Sequence, residues 1–257
     1  MIRKCLSPFL AGLLGLGLAA AEAAGPDKVR FAIGEWAPYT GEKLEAHGMA
    51  AELVSAACEA AGMKAEFEFT PWKRAEANVE QGVCFATFPY QDTREREARY
   101  DFSDSLFRSW NRLLYHTANA RTAGFVLHRA EDLKGFKVGT LLGSDAINVP
   151  LRRAGATVEE VESIEQNLVK LAMDRLDFVA DDQLVLLNAV RSTYGFDPGK
   201  ENLFDFNEMR IGAGTDYHLM VSRRYPQAKE LLSRFNAGLK KLVDSGQYEK
   251  ILKKYGL

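Results

Sequence analysis

Apolar positions in the first hundred residues alternate between the spacing of strands and the spacing of helices. The pattern predicts strands over Val29–Ile33, Lys64–Phe69 and Val83–Phe88, and helices over Met49–Ala61 and Lys73–Gln81. Val83–Phe88 is a near-continuous apolar run, which is typical of a buried parallel strand. Strands that alternate with helices in this way predict an α/β lobe.

The same pattern starts again after a polar, loop-like stretch from Tyr115 to Ala130. Three further strands are predicted over Phe136–Thr140, Thr157–Val161 and Phe178–Ala180, with one helix after Ser144-Asp145 and another over Ile164–Arg175. The chain therefore builds a second α/β unit, although the two units share no visible sequence repeat.

The C-terminal part of the chain is strongly helical. Tyr217–Ser222 is predicted as a strand, Pro226 opens an amphipathic helix, and Tyr248–Tyr255 forms a last helix. Because the second unit already has its own helices, we expect this tail to pack on the first. The chain would then cross between two lobes twice, near residues 115–119 and near residues 213–217, as in a hinge.

The N-terminal residues have the pattern of a secretory signal peptide. Arg3 and Lys4 precede an apolar run over Leu6–Ala21, and Ala21-Glu22-Ala23 has the small-x-small pattern of a cleavage site. The alternative is a membrane anchor, but the run is short for a spanning helix and contains Pro8. We therefore expect a signal peptide over 1–23, a periplasmic mature protein, a first lobe over 24–115 and 215–257, and a second lobe over 116–214.

Composition excludes several classes of partner. Hydrophobic residues make up 47% of the chain and charged residues 26%, which is typical of a packed globular protein. The net charge is −2 with no basic block, so no nucleic-acid partner is expected. The histidines have no metal-binding spacing and no nucleotide-binding motif is present, so neither a metal nor another cofactor is expected. Cys58 and Cys84 are either disulfide-bonded or two buried free thiols.

Several local strings, taken together in their order, resemble one known family. They are Trp36–Tyr39, Gly48–Leu53, Thr93–Arg96 followed by Asp101–Asp104, Leu133–Ser144, Asp177–Asp182 and Gln247–Gly256. They resemble the family 3 extracellular solute-binding proteins, the polar amino-acid receptors of ABC importers. The resemblance implies a periplasmic-binding-protein-like fold: two α/β lobes, a ligand cleft between them and a two-strand hinge.

The resemblance also implies which residues bind the ligand. Arg96 matches the arginine that grips a ligand carboxylate, a task that suits the planar fork of a guanidinium. Its neighbours from Arg94 to Arg99 form a mixed charge run, and such runs are usually solvated. Ser144 and Asp145 match paired hydroxyl residues at a helix N-terminus, where backbone N–H groups bind anions, although Asp145 is also a common helix cap.

Seven further residues are candidates for the same site. Asp182 matches the acid that pairs with the ligand amino group, or it caps the following helix. Trp36 and Trp72 match residues that sandwich the ligand, although Trp72 could instead lie in the core. Pro89 and Gln91 match pocket-lining residues, and Glu35 lies at the mouth of the first strand. Arg74 is a candidate partner for a second acidic group on the ligand, and the alternative is that it is a solvated helix residue.

The resemblance predicts a monomeric secreted protein that closes on a small polar ligand, an amino acid or related small carboxylate. It would deliver this ligand to the membrane permease subunits of an ABC importer. Two alternatives stay open on the same fold. One is a secreted dehydratase of the cyclohexadienyl type, and the other is a soluble sensor for a membrane signalling protein.

Overall fold

The computed structural model describes residues 27–195 and 202–256. The predicted signal peptide, residues 1–23, lies outside the described residues.

The first part of the chain forms the predicted β–α alternation. Its elements are β1 (Asp27–Ile33), α1 (Met49–Ala60), β2 (Met63–Phe69), α2 (Trp72–Glu80), β3 (Ala86–Tyr90), the short α3 (Arg94–Glu97) and β4 (Asp101–Phe102). β1 lies parallel to both β2 and β3, and Phe31 is opposite Phe67 on one side and Ala86 on the other. This parallel arrangement brings the carboxyl ends of β1 and β3 to the same edge of the sheet.

The rest of the chain forms the second unit and the helical tail. The elements are β5 (Phe107–His116), β6 (Lys137–Leu141), α4 (Asp145–Arg153), β7 (Thr157–Val161), α5 (Ile164–Ala172), β8 (Phe178–Asp182), α6 (Gln183–Tyr194), β9 (Phe204–Val221), α7 (Ala228–Asp244) and α8 (Gln247–Tyr255). Each predicted strand and helix of this half is present, and most bounds differ by a few residues. The exception is β9, which has 18 residues and begins at Phe204 rather than at Tyr217.

Strand β9 joins the two halves into one sheet. The strand order is β2-β1-β3-β9-β5-β8-β6-β7, and β4 pairs with β9 beside this path. One end of β9 is antiparallel to β3, with Val221 opposite Ala86, and the other end is antiparallel to β5, with Arg210 opposite Arg112. The mixed α/β fold of two units joined by a pair of strands is therefore confirmed.

The pair of strands that joins the halves is irregular at its centre. The register shifts between Ser109 and Asn111 on β5, and Gly212 and Gly214 on β9 have φ angles of 78° and 81°. These positive φ angles suit glycine, which has no Cβ to clash with the backbone. The Trp110 indole lies against Gly214 and leaves no room there for a side chain.

The helical tail packs on the first unit, as expected. Leu231, Phe235 and Leu239 of α7 belong to the same buried cluster as Phe31 of β1 and Leu53 of α1. The backbones of α1 and α7 approach so closely that a Cβ at Gly238 would collide with the carbonyl oxygen of Ala57. A residue with no side chain is therefore required where the two helices cross.

The structure corrects the expectation of a polar loop that begins at Tyr115. Tyr115 and His116 are the last residues of β5, and the loop begins after them. Phe107 at the start of β5 packs in the first-unit core, whereas Leu113 and Leu114 pack in cores of the second unit. The chain therefore crosses between the two cores within Phe107–Leu113, earlier than residues 115–119.

The two cysteines are buried free thiols, which was one of the two alternatives. Cys58 packs with Phe31 and the other side chains between the sheet and α1, whereas Cys84 packs with Ala32 and Val79 on the face covered by α2. Because neighbouring residues of β1 point to opposite faces of a sheet, the two thiols lie on opposite sides of it. Burial raises the pKa of the Cys58 thiol to about 12.

Candidate ligand-binding site

A cavity of about 430 Å³ opens at the carboxyl ends of β1 and β3. Loops that leave this edge of a parallel sheet commonly build ligand sites. The cavity is lined by Trp36, Trp72, Pro89, Tyr90, Gln91, Arg96 and Tyr217. The structure thus brings together five of the ten residues predicted from the sequence and adds two tyrosines.

Trp72, the first residue of α2, forms one wall of the cavity. Its indole lies against Gly34, where a Cβ would collide with the ring. The indole N–H donates a hydrogen bond of 3.3 Å to the carbonyl oxygen of Glu35. Its ring also meets the ring of Tyr90 edge to face, with centroids 5.8 Å apart and planes at 72°. Trp72 is only half-buried, so it is a wall residue rather than a core residue.

Trp36 forms a second wall, in the loop after β1. Its ring centroid lies 4.5 Å from that of Tyr39 and 5.4 Å from that of Tyr217. A two-residue bridge with Thr40 fixes the loop, and the backbone N–H of Trp36 donates to the carbonyl oxygen of Thr40 at 2.8 Å. The cavity therefore has two half-buried tryptophans on its walls, each held by contacts outside the cavity.

Arg96 carries the only charged side chain among the residues that line the cavity. The hydroxyl of Thr93 caps the short helix α3 by accepting from the backbone N–H of Arg96 at 3.4 Å. The guanidinium donates from Nη1 to the carbonyl oxygen of Gln91 at 3.2 Å, and its Cζ lies 4.8 Å from the centre of the Tyr90 ring.

Arg96 also differs from Arg99 in having no acidic partner among the described residues. Arg99 forms an ion pair with Glu80, but no carboxylate in residues 27–195 or 202–256 forms one with Arg96. A half-buried guanidinium with unused N–H donors is a ready partner for an anion. The structure thus separates Arg96 from the solvated charge run in which it lies.

Tyr217 and Gln91 lie together on the cavity wall. The pKa of Tyr217 is raised to about 12, mainly by burial and also by the negative charge of Asp182. A hydrogen bond with the side chain of Gln91 opposes this rise. Tyr217 also stacks on Phe107 with centroids 5.1 Å apart. From the sequence, Tyr217 is predicted only as the first residue of a strand beside the second crossing between the lobes. Its place on the cavity wall depends on the pairing of β9 with β5, which no local pattern reports.

Asp182 caps helix α6, which was the alternative to its predicted ligand role. Its Oδ1 accepts from the backbone N–H groups of Leu184 at 2.9 Å and Val185 at 3.3 Å, and from the Tyr39 hydroxyl at 2.7 Å. The Ser109 hydroxyl donates to its Oδ2. Asp182 is only 5% exposed, and burial raises its pKa although these bonds lower it. Four donors already contact this carboxylate, so the cap alternative fits it, and the contact with a ligand amino group stays a prediction.

Asp181, the neighbouring acid, is a residue that the sequence analysis missed. Its Oδ1 accepts from the backbone N–H of Asp182 at 2.6 Å, but its Oδ2 is buried without any hydrogen-bond partner. The pKa of Asp181 is raised to about 7, mainly by burial. The hydrogen bond from the backbone N–H of Asp182 opposes this rise, and the charge of Asp182 adds to it. A buried polar atom without a partner costs free energy, so a hydrogen-bond donor that contacts this oxygen would recover that free energy.

The remaining predicted residues do not line the cavity as it stands. Glu35 is exposed and accepts from the backbone N–H of Glu42 at 3.1 Å. The exposed Arg74 side chain makes no hydrogen bond or ion pair with any described residue, so the solvated alternative fits it. Ser144 precedes α4 and forms no side-chain cap bond. Asp145 begins α4, and its side chain lies outside the described part of the structure.

Across residues 27–195 and 202–256, no group of three or more histidine, cysteine or acidic side chains could hold a metal ion. Within the same ranges, no helix combines the length and the apolar character that crossing a membrane requires.

Comparison with known proteins gives a family that fits this geometry. The profile of the bacterial extracellular solute-binding proteins, family 3, matches residues 30–257. A probable histidine-binding protein of Neisseria gonorrhoeae is 27% identical over 248 residues, which cover 92% of this chain and 86% of that protein. The L-cystine-binding protein TcyA of Bacillus subtilis (strain 168) is 25% identical over 214 residues, which cover 81% of this chain and 72% of that protein.

Solved structures share the fold. The L-cystine solute receptor of Neisseria gonorrhoeae, in its unliganded open conformation, has a TM-score of 0.71 at 21% identity over 90% of this chain and 92% of that chain. An ancestral arginine-binding protein bound to arginine has a TM-score of 0.63 at 23% identity over 90% of this chain and 98% of that chain.

The family match is not confined to one motif. It runs from within β1 to the end of the chain and so includes both α/β units, the joining strands and the helical tail. Both curated relatives are named as binding proteins, which argues against the dehydratase alternative. The chain therefore belongs to the bacterial extracellular solute-binding proteins, family 3.

Proposed function

We propose that this protein captures an α-amino acid in the cavity beside Arg96 and delivers it to an ABC importer. The observation that carries the proposal is the guanidinium of Arg96, which faces the cavity without an acidic partner. A ligand carboxylate would pair with its free N–H donors. The names of the two curated relatives, a histidine-binding and an L-cystine-binding protein, support an amino acid as the ligand.

The ligand would be held at three places. Its carboxylate pairs with Arg96, its side chain lies between Trp36 and Trp72, and its ammonium group donates to Asp181. Asp181 supports the last contact because its buried Oδ2 lacks a partner and its negative charge acts on Tyr217, which lines the cavity. This assignment replaces Asp182 with its neighbour.

Closure of the two lobes would complete the site. The cavity is lined by residues of the first unit and of β9, and none of its lining residues comes from α4. We propose that bending at the β5–β9 pair brings the N-terminus of α4, where Ser144 and Asp145 lie, against the ligand, so that the backbone N–H groups of this helix end face the ligand carboxylate. The lobe bounds of 24–115, 116–214 and 215–257 stay a prediction.

The setting of this function follows from the family and from the N-terminal sequence. The family is extracellular, and we propose that residues 1–23 act as the signal peptide of a periplasmic protein. The proposed partners are the membrane subunits of an ABC permease, with the protein working as a monomer. Sensing for a membrane signalling protein stays an alternative, because it needs the same closure on ligand.

A thermal-shift screen of the mature protein tests the proposed function. The panel is L-histidine, L-cystine, L-arginine, L-glutamine and L-glutamate, with succinate and spermidine as ligands that lack the α-amino acid group. We expect at least one amino acid to raise the melting temperature, since a ligand at a hundred times its Kd adds about 2.7 kcal/mol of stability. A shift with succinate or spermidine alone would contradict an amino-acid ligand.

A further inference from the structure

The guanidinium of Arg96 is held in place by groups that do not neutralise it. One is the carbonyl oxygen of Gln91, 3.2 Å from Nη1, and the other is the face of the Tyr90 ring, 4.8 Å from Cζ. The electron-rich face of an aromatic ring attracts a cation without forming an ion pair. A carboxylate in the place of Tyr90 would also hold the guanidinium, but it would compete with the ligand for the same N–H donors.

The Tyr90 ring is itself held in place by Trp72. Its neighbour Trp72 meets it edge to face, and Trp72 is fixed in turn by its N–H bond to the carbonyl oxygen of Glu35 and by close contact with Gly34. The Gly34 contact leaves no space for a Cβ, so the indole packs directly on the backbone there. A stack of Gly34, Trp72, Tyr90 and Arg96 therefore runs from the end of β1 to the guanidinium.

The ring of Tyr90, rather than its hydroxyl, makes these contacts. Within the described ranges, the Tyr90 hydroxyl forms no hydrogen bond, whereas the ring contacts both Arg96 and Trp72. A phenylalanine at this position would therefore keep the stack, and an aliphatic side chain of similar size would not.

We propose that Tyr90 is a positioning residue, which holds the Arg96 guanidinium toward the cavity and so sets the preference of this site for a ligand carboxylate over a neutral amide. The proposal rests on the proposed function, since it needs a carboxylate ligand at Arg96. It assigns to Tyr90 no contact with the ligand carboxylate. Its effect passes through Arg96 alone, so loss of the ring should affect carboxylate recognition selectively.

The test compares each amino acid with its own α-carboxamide. The amino acid that binds most tightly in the panel, for example L-histidine, is titrated calorimetrically beside the matching amide, L-histidinamide. The proteins are the unchanged chain, Tyr90→Phe, Tyr90→Met and Tyr90→Leu. We expect the unchanged chain to prefer the acid by at least about tenfold, Tyr90→Phe to keep this preference, and Tyr90→Met and Tyr90→Leu to reduce it by about fivefold or more.

Tyr225→Leu is the matched control for the loss of a half-buried tyrosine. Tyr225 packs edge to face on Phe85 with centroids 5.8 Å apart and does not line the cavity, so this variant should keep the full preference. If loss of Tyr90 had only a general structural effect, the affinities for the acid and the amide would fall equally and the ratio of their Kd values would not change. That result would overturn the proposal. So would an equal loss in Tyr90→Phe and Tyr90→Met.

The screen separates this proposal from the proposed function. If the unchanged chain binds an amino acid and Tyr90→Met keeps the preference for the acid, the role of Tyr90 is wrong and the amino-acid ligand stands. If the unchanged chain binds no member of the panel, both are wrong. Tyr90→Met keeps a side chain of similar size in the stack, and thermal melts without ligand confirm that each variant is folded.

Discussion

At the scale of single residues, the proposed site depends on charged groups that lack their usual partners. Among the described residues, no carboxylate pairs with Arg96, and no donor contacts one buried oxygen of Asp181. Each arrangement costs stability in the ligand-free protein, because buried polar and charged groups are normally paired. An amino acid brings the two missing groups, a carboxylate and an ammonium, on one carbon atom. In the proposed binding mode, the free-energy cost of leaving these two groups unpaired becomes a preference for this class of ligand.

Because Asp181 is buried, the stability of the ligand-free protein should fall as the pH rises from about 4 toward 7. Burial raises the pKa of Asp181 to about 7 in the folded protein, whereas in the unfolded chain the pKa returns to 3.8. Between these values the folded state holds a proton that the unfolded chain has lost, so the stabilising contribution is complete below about pH 4 and disappears as the pH rises toward 7. The loss amounts to at most about 4 kcal/mol.

Urea unfolding of the empty protein and of Asp181→Asn at pH 4.5 and pH 7.5 measures this term. We expect the free energy of unfolding of Asp181→Asn to exceed that of the unchanged chain by more at pH 7.5 than at pH 4.5. Equal pH dependence in the two proteins would show that Asp181 titrates normally and is not a buried, unpaired acid.

At the scale of secondary-structure elements, three segments meet at one buried carboxylate. Asp182 ends β8 and caps α6, Ser109 comes from β5, and Tyr39 comes from the loop after β1. Tyr39 also stacks on Phe107 with centroids 4.8 Å apart and planes at 8°. This junction therefore ties the first unit to the second beside the strands that join them, close to where bending would occur.

Tyr39→Phe tests the strength of this junction. The variant keeps the ring stack but removes a donor at 2.7 Å from a buried carboxylate, so we expect the free energy of unfolding to fall by about 1–3 kcal/mol. Urea denaturation gives the value. The control is Tyr225→Phe, because the Tyr225 hydroxyl makes no hydrogen bond within the described residues and its loss should change little. Equal stability of Tyr39→Phe and the unchanged chain would remove the junction from this account.

At the scale of the whole molecule, two α/β units share a sheet and also meet along α6. The clusters around Leu168 and Leu133 belong to the second unit, but Leu184 and Leu187 of α6 lie in the cluster around Phe31 of the first unit. Bending at the β5–β9 pair would therefore rearrange the contacts of α6 with the first unit, while each unit keeps the rest of its packing. A ligand that contacts both units then shifts the population toward the closed form.

The sequence predicted the regular parts of this architecture and missed the parts that join them. Strands such as β1 and β7 lie within one unit and show the apolar pattern that periodicity detects. β5 is different: it passes between cores, so its buried and exposed residues do not alternate regularly along its length. Its pattern therefore does not predict a strand, and with it the positions of Trp110 and Ser109 stay hidden.

The candidate site shows the same limit. Arg96 and Trp36 follow from local strings, because residues near each of them in the chain help to hold it. Trp72 lies outside those strings and is held by Gly34 and Glu35, which are distant in sequence. Asp181 and Asp182 are adjacent acids at the end of β8, and successive residues there point to opposite faces. One of them caps α6 and the other keeps a free oxygen, a difference that depends on Tyr39 and Ser109, which are distant in sequence.

The most direct test of the central claim is the affinity of Arg96→Ala for the amino acid found in the screen, measured by calorimetric titration beside Arg94→Ala. Arg94 is an exposed arginine on the same short helix and does not line the cavity, so it controls for the loss of one positive charge. The account predicts at least a tenfold weaker Kd for Arg96→Ala, about 1.4 kcal/mol, and an unchanged Kd for Arg94→Ala. Equal affinities for the two variants would contradict it.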